Sequence, residues 1–168
     1  DYRYKLTEIE QLWVTTIKKA INDDDLENFR KKNVAPYDIS HIMTEFMWAQ
    51  LAIVTKGKPR KAILRMKKMR EIWKEYKLDD YTEQEGYDWY EEKMPGFVSA
   101  SRNDNAGHPV ICCDYSQFLP DNIDSERDWG LMFYLLIMWM NALQTNFDEM
   151  RSGSVWLFQC ENMGWKNF

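Results

Sequence analysis

The sequence predicts a mixed fold, α+β or α/β in class: an N-terminal helical bundle followed by a strand–strand–helix–strand unit with a small sheet. Three observations carry this reading. Apolar residues recur at helical spacing from Ile9 to about position 92, twice behind a Thr-x-x-Glu capping box, Thr7 to Glu10 and Thr82 to Glu85. After Pro95-Gly96 the pattern changes to short apolar and β-branched runs bounded by polar turns. Between the second and third such runs lies the longest apolar stretch, Leu131 to Met140.

The elements follow in order. The Thr7 box starts a helix with Ile9, Leu12, Trp13, Ile17, Ala20 and Ile21 at helical spacing, expected to end near Asn22. Asp23-Asp24-Asp25 is expected to start a short second helix through Lys32, and Pro36 breaks the chain. A third helix is expected from about Ile39, capped by Asp38 or Ser40, with Ile42, Met43, Phe46 and Met47 inward. Gly57 and Pro59 separate it from a fourth, about Pro59 to Lys77, with Ala62, Met66, Met69, Trp73 and Tyr76 on one face. Thr82 then opens a short acidic helix that stops before Pro95. Phe97 to Ser101 and Val110 to Cys113 read as strands joined by the polar turn Asn103 to Gly107. A long helix is expected from about Ser125 to Met150, with Ser125 and Asp128 in capping-box positions, and Ser152-Gly153 turns the chain into a third strand, Ser154 to Cys160. The organisation expected is a helical extension over 1–37, a helical domain over 38–92 and the sheet unit over 93–168.

Burial sets the main constraint. Each large apolar side chain gains about 1.5–3 kcal/mol when covered, so the ten residues of Leu131 to Met140 must be sheltered on nearly all sides. That run is half the length a bilayer span needs. Val155 to Phe158 is nearly continuous in apolar residues, which suits a strand covered on both faces. With one long helix available to cover it, the sheet is expected to be part of a larger α/β unit. The chain also opens at Asp1 without an initiating Met, as a fragment or processed piece would.

Composition narrows the function classes. The three cysteines, an odd number, and the lack of an Asn-x-Ser/Thr sequon fit a reducing cytoplasmic setting. The opening stretch DYRYKLTEIEQ has no apolar core of the kind a secretory signal carries. Cys112 and Cys113 are adjacent on a strand, so their side chains point to opposite faces and cannot grip one ion together. No Cys-x-x-Cys or helically spaced His pair is present, so no metal site, no cofactor and no redox pair is expected. No nucleophile elbow or phosphate loop surrounds Ser99, Ser154 or the NDNAGHP turn, and no catalytic residue is assigned. The net charge of −5 hides two blocks: ten basic residues from Lys56 to Lys77, then seven acids and no base from Leu78 to Glu92. The basic block reads either as a solvated helix face or as a surface drawn to anionic membrane, through Lys58, Arg60, Lys61, Arg65 and Lys68. Nucleic acid is not expected, because the acidic neighbour would repel phosphates and no binding motif is present.

Three segments together resemble the CRAL-TRIO lipid-transfer family. GFVSASRNDNAGHPVICCDY is similar to its Gly-φ-Val…Asp-x-x-Gly-Arg-Pro-Val hairpin, through Asp104, Gly107, Pro109 and Val110. DEMRSGSVWLFQCENMGW resembles its helix end, Gly turn and long strand closing on Asp-x-x-Gly, here Glu161 to Gly164. The stretch from Phe46 to Tyr76 is similar to its N-terminal helical domain through Phe46, Ala49, Ala62 and Trp73. His108 stands for the usual Arg, Glu161 for the usual Asp, and Met47, Trp48 and Gln50 interrupt the Leu-Arg-Ala-Arg run. The resemblance covers about 38–168 and implies as many residues again beyond Phe168, with a gate helix.

What it implies is non-catalytic binding and intermembrane transfer of a hydrophobic lipid by a cytoplasmic, peripherally membrane-associated protein. On helical phase Phe133, Leu136, Ile137 and Met140 share a face and are the candidate pocket lining, with Phe158 and Trp165 bordering the same space. The alternative is a protein-interaction or membrane-targeting module of the same fold, working through the basic block. Neither the lipid nor the oligomeric state is legible.

Overall fold

The structure is a computed structural model describing residues 5–100, 103–143, 146–161 and 163, without the side chains of 140, 141 and 143. Among the described residues are six α-helices and one three-stranded sheet, a mixed helix-and-sheet fold. The chain divides into two compact units, 1–75 with 146–151 and 76–145 with 152–168. The boundaries expected after 37 and after 92 fall inside the first and second units respectively.

The first unit begins with α1 (Glu8–Lys32), opened by the Thr7–Glu10 capping box and closed by Asn33 in the left-handed region. The helix runs straight through Asp23-Asp24-Asp25, where a new start was expected. Three acids in a row do not nucleate a helix end when basic partners meet them from another element. Asp24 takes Lys67 at 2.8 Å, and Asp25 takes both terminal nitrogens of Arg70 at 2.7 and 2.8 Å. The buried face of α1 is carried by Ile17 and Ile21, while Ile9 and Leu12 are exposed. Next come α2 (Glu45–Thr55) and α3 (Pro59–Glu75). The N-cap of α2 is Thr44, whose hydroxyl accepts from the N–H of Met47. Asp38 instead accepts from the Ser40 N–H, closing a turn before the helix rather than capping it. Between α2 and α3 Gly57 sits at φ +66°, and a Cβ there would fall 2.3 Å from the Trp13 ring, so position and backbone both require glycine.

The expected helix from Ser125 to Met150 is two helices, α5 (Glu126–Leu143) and α6 (Phe147–Ser152). Residues 146–151 belong to the first unit, where Phe147 stacks on Phe46 at 5.7 Å. Arg151 closes a two-pronged bond on the buried Glu10 at 2.7 Å on each prong, and also reaches Asp148 and the Lys5 carbonyl.

The second unit holds α4 (Glu83–Lys93), α5 and the strands β1 (Val98–Ala100), β2 (Val110–Asp114) and β3 (Val155–Gln159). Its helix starts are fixed by the Thr82–Glu85 box and by Ser125 with Asp128. The sheet order is β1-β2-β3, antiparallel then parallel, with Val98 opposite Cys113 and Cys113 opposite Phe158. A parallel pair needs a long crossover, and α5 lies in it. Ile111 and Cys113 on β2 are buried, whereas on β3 Trp156, Leu157 and Phe158 are 37%, 52% and 57% exposed. The composition of β3 suits a strand covered on both faces, and among the described residues Trp156, Leu157 and Phe158 are not covered. The strand pairs by backbone along β2, but its side chains stand in the open.

Glu10 yields a prediction. Hydrogen bonding from Arg151 lowers its pKa from 4.5 to about 2, against the upward pull of burial. A carboxyl lowered on folding stabilises fully above its unfolded value and loses that contribution as pH falls through the folded one. The contribution is about 3 kcal/mol at neutral pH, lost between about pH 4.5 and 2. Urea titrations across that range should show the wild type losing it and Glu10→Gln, weaker already at neutral pH, losing much less.

Candidate functional site

Two places were marked by the sequence: the apolar helix α5 in the second unit and the cationic helix α3 in the first. The second unit is built on a cluster of Trp89, Tyr90, Met94, Ile123, Leu131 and Leu135. Its polar anchor is Asp128, almost fully buried, which accepts from the Trp89 indole at 2.7 Å and from the Ser125 hydroxyl at 2.6 Å. Burial works upward on this carboxyl, but the Ser125 and Trp89 donors outweigh it and hold it below the ordinary value. Gly130 lets the helix approach Tyr81, whose hydroxyl would lie 2.5 Å from a Cβ at that position. The Tyr90 hydroxyl donates to the Val98 carbonyl and accepts from its N–H, both at 2.8 Å, tying α4 to β1.

The face of α5 turned into this core carries Asp128, Leu131, Leu135 and Trp139. The face expected to line a pocket lies more than a third of a turn away, at about 100° per residue. Phe133 is half-buried and packs on Tyr76 at 4.7 Å and Trp129 at 6.3 Å. Ile137 is half-buried, and Leu136 borders a cavity of about 30 Å³ beneath α5 together with Trp89, Met132 and Trp139. That space holds about one water, where ligand pockets run to hundreds of Å³. Phe158 is exposed beside Tyr115, 5.8 Å between rings. The Met140 side chain and Trp165 lie outside the described residues. The adjacent cysteines face opposite ways, as alternation requires: Cys113 is buried, which pushes its thiol up, and Cys112 is half-buried. Among the described residues no group of three His, Cys, Asp or Glu is placed to hold a metal, and no helix is long and apolar enough to cross a membrane.

On α3 the buried stripe is Ala62, Met66 and Trp73. One flank, Lys67 and Arg70, is neutralised by Asp24 and Asp25 of α1. Away from that contact, Lys58, just ahead of the helix, and Arg60, Lys61, Arg65 and Lys68 are all exposed. Among the described residues none of these five makes an ion pair. The first turn of α3 has no acid, and Arg60 and Lys61 stand there against the positive end of the helix dipole, each at a cost of about 0.3–1 kcal/mol. By sequence the first unit carries 17 basic and 13 acidic residues, net +4, and the second 5 and 14, net −9.

Sequence reasoning missed the acid–base pairs, because their partners lie 45 and 141 residues apart. It also missed a groove of about 300 Å³ in the first unit bordered by Lys32, Pro36, Tyr37 and Lys74, formed by an irregular segment with no periodic signal. No family model, no curated protein and no solved structure matches the chain, so the likeness to CRAL-TRIO proteins gains no support from them.

The Asp128 anchor is testable. Asp128→Asn turns one acceptor into a donor facing Ser125 and Trp89, and should cost about 1–3 kcal/mol. In wild type the Asp128 contribution should be complete above the ordinary carboxylate range and fade below it; denaturation followed by tryptophan fluorescence reads both.

Proposed function

We propose that this chain is a non-catalytic docking module whose helical unit binds an anionic membrane surface through the outer face of α3. The observation that carries the reading is the asymmetry of that helix. Lys67 and Arg70 are matched by acids of α1, whereas Arg60, Lys61, Arg65 and Lys68, two of them in the first turn, are left to solvent. Uncompensated cations repel one another and oppose the helix dipole, and an anionic surface relieves both. Each basic residue near such a surface contributes about 1 kcal/mol, screened by salt. The net +4 of the unit acts in the same direction. The protein would then be cytoplasmic and peripherally bound.

Charge reversal tests this. Lys61→Glu, Arg65→Glu and Lys68→Glu together should lower the affinity for phosphatidylserine-containing vesicles, read by sedimentation, at least about 100-fold, a loss of roughly 1 kcal/mol or more per site. Unchanged binding, or binding insensitive to salt, would dismiss the reading.

The open side chains of β3 favour a second reading: the α/β unit, which resembles the CRAL-TRIO hairpin and strand, contributes to holding a hydrophobic lipid for transfer. Trp156, Leu157 and Phe158 are exposed apolar surface of the kind that marks an interaction site. Under this reading lipid extracted from the folded protein, identified by mass spectrometry, should be stoichiometric; a folded, lipid-free protein that extracts nothing from vesicles would count against it.

A further inference from the structure

The outer face of α3 is not purely cationic. Leu64 is 58% exposed, and on a helical projection at about 100° per residue it stands about 160–180° from Ala62, Met66 and Trp73, opposite the buried stripe. It is thus no border residue of the packed side. Arg60 and Lys68 are one turn to either side of it along the helix, and Lys61 and Arg65 stand beside it on one side of the axis, so all five fall within an arc of about 140°. Glu71 and Glu75 continue the same face about two and three turns on. A single exposed leucine is ordinary by itself. A leucine set among four unpaired cations is placed where the partner's charge and its apolar layer must both be met.

We infer that Leu64 is a bilayer-inserting residue: the cations hold α3 against lipid phosphates while Leu64 enters the acyl boundary. The inference rests on the docking reading and deepens it by choosing the partner. A polyanion such as heparin or duplex DNA satisfies the cations but offers the leucine only water or charged surface. A phosphatidylserine-containing bilayer satisfies both, because the interface of a membrane accepts an apolar side chain beneath its headgroups. The long Arg60 and Lys68 side chains can lay their methylenes alongside Leu64 and keep their charges at the headgroup level.

Leu64→Ala and Leu64→Phe separate the possibilities, and the exposure of the position makes neither a threat to folding. Removing most of an aliphatic side chain from the acyl boundary should weaken binding to phosphatidylserine-containing vesicles about 3–10-fold, leave heparin retention unchanged, and be restored or exceeded by Leu64→Phe. Loss of vesicle binding and heparin retention in the same proportion, or no loss in either, overturns the insertion of Leu64. The Lys61→Glu, Arg65→Glu, Lys68→Glu protein is the control that separates the two ideas. If it still binds vesicles like wild type, the docking reading itself fails; if it is released while Leu64→Ala is not, docking stands and insertion is wrong.

Discussion

Arg70 closes on Asp25 with both prongs of its guanidinium, and the rotation of α3 depends on that bond together with the burial of Ala62, Met66 and Trp73. A planar fork matched to a carboxylate has little angular freedom. With Lys67 held by Asp24 one turn away, the helix is pinned on its inner flank. Everything on the opposite flank is thereby fixed in the open. The exposed cations are a consequence of how α3 packs, since those that reach α1 are consumed there and those that cannot reach it remain unmatched. Breaking the Arg70–Asp25 pair would leave a charge in a half-buried setting, the costly way to lose an ion pair.

The second unit rests on a different constraint. An 18-residue helix that is apolar on almost every side has to be covered, and α4, the loop at Ile123 and the rings of Tyr81, Phe118 and Trp139 do so around one face. The Asp128 carboxylate, bonded to Ser125 and Trp89, selects that face. Beneath α5 lies a cavity of about 30 Å³, bordered by Trp89, Met132 and Trp139. The unit spends its apolar surface on itself at α5 and leaves it unspent at β3. That distribution separates the two functional readings physically: the first needs only the outer face of α3, and the second needs the surface of β3 to meet a lipid.

Much of the architecture was legible because local chemistry agrees with the global result. Thr7–Glu10, Thr82–Glu85 and Ser125–Asp128 are capping boxes in sequence and in space, and β2 alternates as a half-covered strand should. The errors fall where a distant residue decides. Asp23-Asp24-Asp25 reads as a helix start until Lys67 and Arg70 arrive to neutralise it. The inner side of α5 was hard to choose because large apolar residues from Leu131 to Met140 occur on every side of the helix, and Asp128, read only as a cap, is the residue that marks it. For β3 the composition suits two covered faces, but covering depends on other elements rather than on the strand. The cationic flank was visible as composition; which of its members would be paired was not.

The central claim is that the outer face of α3 meets a membrane. Hydrogen–deuterium exchange of the whole chain, with and without phosphatidylserine-containing vesicles, tests it most directly. The account predicts new protection concentrated between Lys58 and Lys68, absent with neutral phosphatidylcholine vesicles and abolished by salt. Protection centred on β3 or α1, or none in α3 while the protein is bound, would contradict it.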